Sequence, residues 1–213
     1  ATGMTHRTLG LEGESDLVGA GVSYCAVCDG PFYRGRSAAV VGGGDTALQD
    51  ALFLSSVCAH VTLIHRRDQF RGEERLVREL RGRDNVDFLL SHIPVGLESA
   101  GGELRGVRLR NLKTEQEHTL AVEGLFIAVG QEPHNAPFAS RICLDGAGYI
   151  QAGEDCRTSL PGVFAAGDCR TKDVRQLTTA VGDGAVAGLA ACRYADGQRK
   201  LHPHLKRVFR ARA

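Results

Sequence analysis

An α/β fold is what this sequence predicts, and two observations predict it. The first is a strand, a Gly-rich turn and a helix in direct succession. Ser37-Ala38-Ala39-Val40-Val41 leads into Gly42-Gly43-Gly44-Asp45-Thr46-Ala47, and an apolar-periodic run continues to Ser56. A second β-rich run, Val61-Thr62-Leu63-Ile64-His65, follows it. The second observation is a change of rhythm between Ile93 and Val122. There Pro94, Gly96, Gly101-Gly102 and the alternation Val107-Arg108-Leu109-Arg110 predict short antiparallel strands. Together these give a Rossmann-like, three-layer domain with an antiparallel β-meander inserted as its crossover.

The glycine turn carries a chemical expectation. Gly42 permits the tight turn, Gly44 lets the backbone approach a pyrophosphate, and Ala47 lets the helix pack close to its strand. The N–H groups at the start of that helix then face phosphate, and the helix dipole favours its charge. The end of the second strand selects the dinucleotide. An NAD site places Asp or Glu about 20 residues beyond the glycines, on the ribose hydroxyls. Here that neighbourhood holds His65, Arg66 and Arg67, with Arg71 a turn further on. An isolated Arg-rich run is usually a solvated surface. Placed just after the second strand of a fingerprint, it suits a 2′-phosphate clamped by guanidinium groups, which predicts NADP(H).

Composition narrows the class. A chain of 213 residues has room for one large domain or two small ones, and a net charge of +1 argues against nucleic acid held by bulk charge. No run has the apolar length of a membrane span, and no charged-then-apolar leader opens the chain. Of seven cysteines, Cys25 and Cys28 form a C-x-x-C and the other five are scattered. A secreted disulfide framework fits poorly with so long a chain rich in nucleotide-type glycine turns. The expectation is a cytoplasmic protein with one redox pair and five incidental thiols.

In chain order, residues 5–16 alternate glycines and charges and predict a connector. Gly19-Ala20-Gly21-Val22-Ser23-Tyr24 imitates a fingerprint, but Tyr24 is too large for its third position. Three readings fit Cys25-Ala26-Val27-Cys28: half a zinc site, a buried structural pair, or a redox pair. No second C-x-x-C or H-x₃₋₅-H lies near, since His202 and His204 are too close together. The spacing suits a small ring disulfide, and Asp29 directly follows as a proton donor or acceptor. Beyond the arginines, residues 72–82 predict a charged helix, 86–90 a third strand, and 125–130 a buried strand ended by Gln131-Glu132-Pro133. Residues 148–150 and 162–168 read as strand-like, the latter ending on Asp168, and residues 177–194 as a small-residue helix. Inside that helix Gly182-Asp183-Gly184-Ala185-Val186-Ala187 repeats the fingerprint formula without a preceding strand. It is a decoy whose small residues suit close helix packing. The basic tail, residues 199–213, reads as a solvated terminus.

This combination resembles the low-molecular-weight thioredoxin reductase family of flavoprotein disulfide reductases. The likeness rests on Ala1-Thr2-Gly3, residues 21–33, 42–47 and 65–71, then 126–130, 158–168 and Arg175-Gln176, in the family's order across nearly the whole chain. The resemblance implies that NADPH reduces FAD, FAD reduces the Cys25–Cys28 disulfide, and the dithiol reduces thioredoxin, with Asp29 as acid/base. It implies an NADPH site at Gly42, Gly44, Asp45, Thr46, Ala47, His65, Arg66, Arg67 and Arg71. It also implies a FAD site at Thr2, Gly3, Gly167, Asp168, Arg175, Gln176 and Leu177. Residues 11–131 would be the NADPH-binding domain, and residues 1–10 with 132–213 part of a second domain of the same type that binds FAD. The domain would rotate about connecting strands near residues 10–13 and 130–133. The family is homodimeric.

One departure shapes the expectation. Family members open with an FAD-binding βαβ unit carrying its own glycine fingerprint, and nothing here supplies it. Alone, the chain is therefore expected to bind NADPH and to hold FAD weakly or not at all. Two alternatives accompany the reductase reading. One is a non-enzymatic, NADPH-binding redox switch; the other is the flavoprotein subunit of a peroxide-reducing system. No role is assigned to Cys169.

Overall fold

The computed structural model describes residues 1–201. In chain order its strands are β1 (Met4–His6), β2 (Val22–Ser23), β3 (Ser37–Gly42), β4 (His60–His65), β5 (Val86–Leu90), β6 (His92–Ala100), β7 (Glu103–Asn111), β8 (Glu117–Ala121), β9 (Gly124–Ala128) and β10 (Gln131–Pro133). The helices are α1 (Ala26–Asp29), α2 (Asp45–Ser55), α3 (Glu74–Arg81) and α4 (Leu177–Leu201). The chain divides into two compact units, His6–Gly130 and Ala1–Thr5 together with the segment from Gln131 onward. None of the described helices is long and apolar enough to cross a membrane.

The unit His6–Gly130 is a parallel sheet in the order β2-β9-β3-β4-β5, with helices against one face and the β6-β7-β8 meander against the other. Its central strand shows why the sequence folds this way. Every residue of β3 after Ser37 is buried, because a parallel sheet covered on both faces has no solvent side to favour polar residues. Side chains alternate, so one strand serves two cores. Ala38 and Val40 pack with Leu48 and Leu54 of α2 and Leu80 of α3, while Ala39 and Val41 pack with Val107 and Leu109 of β7. The meander's own alternation follows the same rule: Val107 and Leu109 face that core, and Arg108 and Arg110 lie outward on Glu117. Truncating a side chain such as Leu54 would cost about 2–5 kcal/mol, the range for emptying a filled core.

Several sequence expectations change here. Residues 5–16 are not a bare connector. Glu14 is buried, and its carboxylate accepts the N–H groups of Leu9 and Leu11 at 3.1 Å and the Tyr24 hydroxyl at 2.7 Å. Burial, then Glu14, pushes the Tyr24 phenol up to about 12. His6 stacks on the Tyr24 ring, which carries residues 6–10 into this unit rather than the other. Gly21 is a packing glycine, since a Cβ there would run into Leu104 of β7. Gln131-Glu132-Pro133 does not simply end β9; it forms β10, paired with β1. By contact, the chain passes between the units at residues 5/6 and 130/131. A three-residue strand of mixed polarity carries no periodic signal, so only its partner reveals it.

In the second unit, Ile142, Ile150, Ala152, Ala165 and Cys169 form a small core. The expected strands at 148–150 and 162–168 are single bridges instead, Ile150 with Leu144 and Arg170, and Phe164 with Arg157. Their flanking backbone groups are used by turns, and the second segment ends in a 3₁₀ turn at Gly167–Cys169. The predicted helix is α4, which runs on to Leu201. Close packing through Gly182 and Gly184 is not seen, because among the described residues nothing lies within 4 Å of a Cβ placed on either. Of the basic tail, Arg199 and Lys200 end α4; His202, His204 and the rest lie outside the described residues.

Candidate functional site

Where β3 and β4 end, the unit His6–Gly130 opens a cleft of about 580 Å³ lined by Gly42, Gly44, Thr46, His65, Arg66 and Arg71 among others. Gly42 is fixed by lack of space. A Cβ there would stand 2.5 Å from the Ala128 carbonyl oxygen and 2.5 Å from the Ala47 Cβ, so turn, strand and helix meet with no room for a side chain. Among the described residues nothing lies within 4 Å of a Cβ placed on Gly44, which itself lines the cleft. Ala47 is buried against Gly42 and is not part of the lining.

The arginines divide. Arg66 and Arg71 line the cleft, whereas Arg67 lies just outside the lining, its carbonyl accepting the Ser91 N–H at 3.0 Å. All three are exposed and engage no carboxylate among the described residues, an arrangement that favours an incoming anion. His65 differs in kind. Its ring is buried, stacks on Phe70 at 5.4 Å between centroids, and occupies the space a Gly43 Cβ would need. Burial pushes its pKa below the ordinary value; a backbone hydrogen bond at Gln69 opposes this, and the charges of Arg71, Arg67 and Arg66 add to it. The ring is therefore a neutral floor under the glycine turn. Its Nε2 is buried without a hydrogen-bond partner among the described residues. Sequence reasoning missed His92, which also lines the cleft and whose Nδ1–H donates to the Leu90 carbonyl at 2.7 Å.

In the same unit, β2 ends at Ser23 and the chain turns into α1, where Cys25 and Cys28 are joined by a disulfide. No group of three or more His, Cys, Asp or Glu suited to a metal occurs among the described residues. Cys25 caps the helix, its sulfur accepting the Cys28 N–H at 3.2 Å. Asp29 does not stand alone. The buried Ser23 hydroxyl donates to its Oδ2 at 2.7 Å, and the same Ser23 oxygen accepts the Cys25 N–H at 3.1 Å. Ser23 thus ties the carboxylate to the disulfide's helix, a link that no C-x-x-C pattern announces. Cys28 is exposed, and beside it Val27 and Phe32 are 60% and 76% exposed.

The second unit gathers the remaining predicted residues. Thr2 donates to the buried Asn135 Oδ1 at 2.8 Å, and Asn135 donates to the carbonyls of Gly148 and Cys169. Asn135 therefore places Thr2 and Gly3 beside the Gly167–Cys169 turn. Gly167 has φ +79°, which suits only glycine without strain, and its N–H donates to Asp183 at 2.9 Å. Asp168 presents a buried Oδ1 with no partner among the described residues, an acceptor suited to a hydroxyl-bearing ligand. Arg175 lies 4.0 Å over the Tyr149 ring and donates to the Asp168 carbonyl at 3.4 Å. The Gln176 N–H meets the Thr179 hydroxyl oxygen, and Leu177, which begins α4, is exposed. Cys169 is a core thiol, donating weakly to the Ala166 carbonyl. What sequence reasoning missed is Asp183. It is buried with two cations, Arg170 at 2.7 Å and Lys172 at 2.9 Å, and Arg170 above all holds its carboxyl far below the usual range.

A cleft over a glycine turn and a C-x-x-C disulfide stand together in the unit His6–Gly130. Residues 1–184 match the family model for pyridine nucleotide-disulphide oxidoreductases, and the chain belongs to that family. Within it, the chain is similar to thioredoxin reductases. It is 44% identical over 204 residues to that of Coxiella burnetii and 42% identical over 196 residues to that of Listeria innocua, covering 92% of this chain each time. Among solved structures, the thioredoxin reductase of Streptococcus pyogenes is 41% identical with a TM-score of 0.87, and that of Giardia duodenalis 35% identical with 0.85. The chain spans 64% and 61% of the length of the two curated relatives.

Proposed function

We propose that this chain is the NADPH- and dithiol-bearing portion, with part of the FAD-binding portion, of an enzyme that reduces a thioredoxin-like protein disulfide. The observation that carries the reading is the placement of the Cys25–Cys28 disulfide in the same unit as a glycine turn and an arginine cluster that engages no carboxylate among the described residues. A bound nicotinamide supplies hydride and a bound flavin the two-electron relay. The chain's own residues do the rest. The turn at Gly42 and Gly44 and the start of α2, through Asp45 and Thr46, take the diphosphate. Arg66, Arg67 and Arg71 take the 2′-phosphate, with His65 beneath as floor. The unpartnered Asp168 oxygen suits a flavin side-chain hydroxyl, with Thr2, Gly3, Gly167, Arg175, Gln176 and Leu177 around it.

Reducing Cys25–Cys28 breaks one S–S bond and takes up two electrons and two protons. One thiolate then attacks the partner's disulfide, the second resolves the mixed disulfide, and the S–S bond here re-forms as the partner leaves as a dithiol. Asp29, oriented by Ser23, is the group beside the pair that takes and returns a proton. The exposed Val27 and Phe32 give the disulfide an apolar rim, which suits a protein partner better than a small hydrophilic disulfide. The test is made on FAD-loaded, full-length protein containing this chain. Cys25→Ser and Cys28→Ser should each abolish NADPH-dependent reduction of a thioredoxin disulfide, while NADPH still bleaches the flavin absorbance. Disulfide reduction that survives either change overturns the proposal.

A further inference from the structure

Asp45 opens α2 between Gly44 and Thr46, which line the cleft, so its negative charge stands close to where a diphosphate would lie. Its carboxylate is used elsewhere: Oδ1 accepts the Glu73 N–H at 2.7 Å. Two residues earlier in the turn, the Gly43 carbonyl accepts the Arg71 N–H at 2.8 Å and the Gly72 N–H at 3.2 Å. Three consecutive backbone donors, at residues 71–73, therefore end on the glycine turn. Gly72 seals the joint, since a Cβ there would lie 2.5 Å from Leu48 Cδ1, 2.8 Å from Asp45 Oδ1 and 2.9 Å from the Asp45 nitrogen. Arg66, by contrast, follows directly on β4 and is placed by the sheet.

We infer that Asp45 is a positioning residue for Arg71 and that, through it, the diphosphate turn and the 2′-phosphate clamp form one mechanical unit. The Asp45 carboxylate is not itself a phosphate ligand in this arrangement; only its backbone N–H, which alanine retains, faces the diphosphate. The inference rests on the NADPH reading above. The Asp45–Glu73 bond also fixes the entry to α3, so Arg71 leaves the chain between two anchored points, and its guanidinium is directed at the cleft by the backbone. Removing the carboxylate frees the Glu73 N–H and leaves Arg71 held on one side only, through the Gly43 carbonyl, without touching Arg66 or the glycines. Discrimination between a 2′-phosphate and a 2′-hydroxyl falls, while affinity for the shared 5′-phosphate holds.

The experiment measures binding of 2′,5′-ADP and of 5′-AMP to the full chain by calorimetry, in wild type, Asp45→Ala, Asp45→Asn, Arg71→Ala and the Asp45→Ala/Arg71→Ala pair. Asp45→Ala should weaken 2′,5′-ADP about tenfold and leave 5′-AMP within about twofold. Asp45→Asn, which keeps an acceptor oxygen, should restore most of the preference. The double variant should lose no more than Arg71→Ala alone, because the two residues act in series. Equal weakening of both ligands by Asp45→Ala, no rescue by Asn, or additive losses in the pair overturns the inference. A wild type that does not prefer 2′,5′-ADP removes the NADPH reading itself, and this outcome is distinct because it needs no variant.

Discussion

The formula G-x-G-x-x-A occurs at residues 42–47 and again at residues 182–187, and the two stretches share almost nothing else. At the first, β3 delivers the chain into a turn where Gly42 is hemmed by the Ala128 carbonyl and the Ala47 methyl group. At the second, the whole run lies inside α4, and a Cβ on Gly182 or Gly184 would meet nothing within 4 Å among the described residues. The middle residue differs most. Gly43 must be small because the His65 ring lies against it, whereas Asp183 is a buried anion holding Arg170, Lys172 and the Gly167 N–H. The lesson is physical: the formula by itself does not signal close backbone approach, which depends on whether the fold has brought that backbone to a crowded place.

The sharpest way to test this contrast is to change Asp183. Asp183→Ala leaves the buried Arg170 and Lys172 without their shared anion, at a cost of about 3–5 kcal/mol. Chemical denaturation should show the loss, and hydrogen exchange should place it at residues 167–171. A loss under about 1 kcal/mol would mean water already solvates these cations and the decoy run has no structural task. Gly42→Ala comes next, at about 1–3 kcal/mol, because the methyl group cannot enter without moving Ala128 or α2. Nucleotide binding should fall with it. Unchanged stability and binding in that variant would erase the distinction drawn here.

Much of this was legible in the residues, and the limit has a clear cause. β3, α2 and β4 announce themselves because their periodicity and their glycines answer to local rules, and the arginines follow at a fixed place after β4. The meander was legible from the alternation through Val107 to Arg110. What was not legible depends on distant partners. β1 and β10 are too short and polar to show a period, and each exists because the other is beside it. Glu14 and Ser23 look like ordinary loop polar residues until the fold brings Tyr24 and Asp29 to them. Asp45 reads as part of a phosphate turn, yet its carboxylate is taken by Glu73. Sequence pointed to Gly42, Gly44, Thr46, His65, Arg66 and Arg71, which line the cleft; the fold leaves Ala47 and Arg67 outside the lining and adds His92.

Titration separates the two runs a third way. His65, under the true turn, has its folded pKa pushed below the unfolded value of 6.5. Its stabilising effect is therefore complete above that value and is lost as pH falls from it towards the folded value. Asp183 is also depressed, so its contribution holds well below neutrality and is lost only as pH drops beneath the usual carboxylate range of 3.8. Near pH 6 a second group complicates the first unit, because burial pushes Asp50 up to about 6 and so favours the fold as pH falls. The difference between wild type and His65→Gln removes that background, since Asp50 titrates in both. The stability difference should shrink in wild type's disfavour from pH 7.5 to 5.5. A difference constant across that range would show that the floor ring protonates freely and is not sealed.

The smallest effect is the most direct probe of the decoy. Gly184→Ala puts a methyl group on a helix position where nothing in the described chain stands in its way. Glycine inside a helix costs roughly 0.5–1 kcal/mol relative to alanine, because it loses more backbone freedom on folding. The substitution should therefore stabilise α4 by about that amount and raise the midpoint of its unfolding transition. The same change at Gly42 has the opposite sign, and the sign reversal between two positions of one formula carries more information than either magnitude. Should Gly184→Ala destabilise the chain as Gly42→Ala does, a partner surface must press on α4 at that position, and its small residues would be an interface after all.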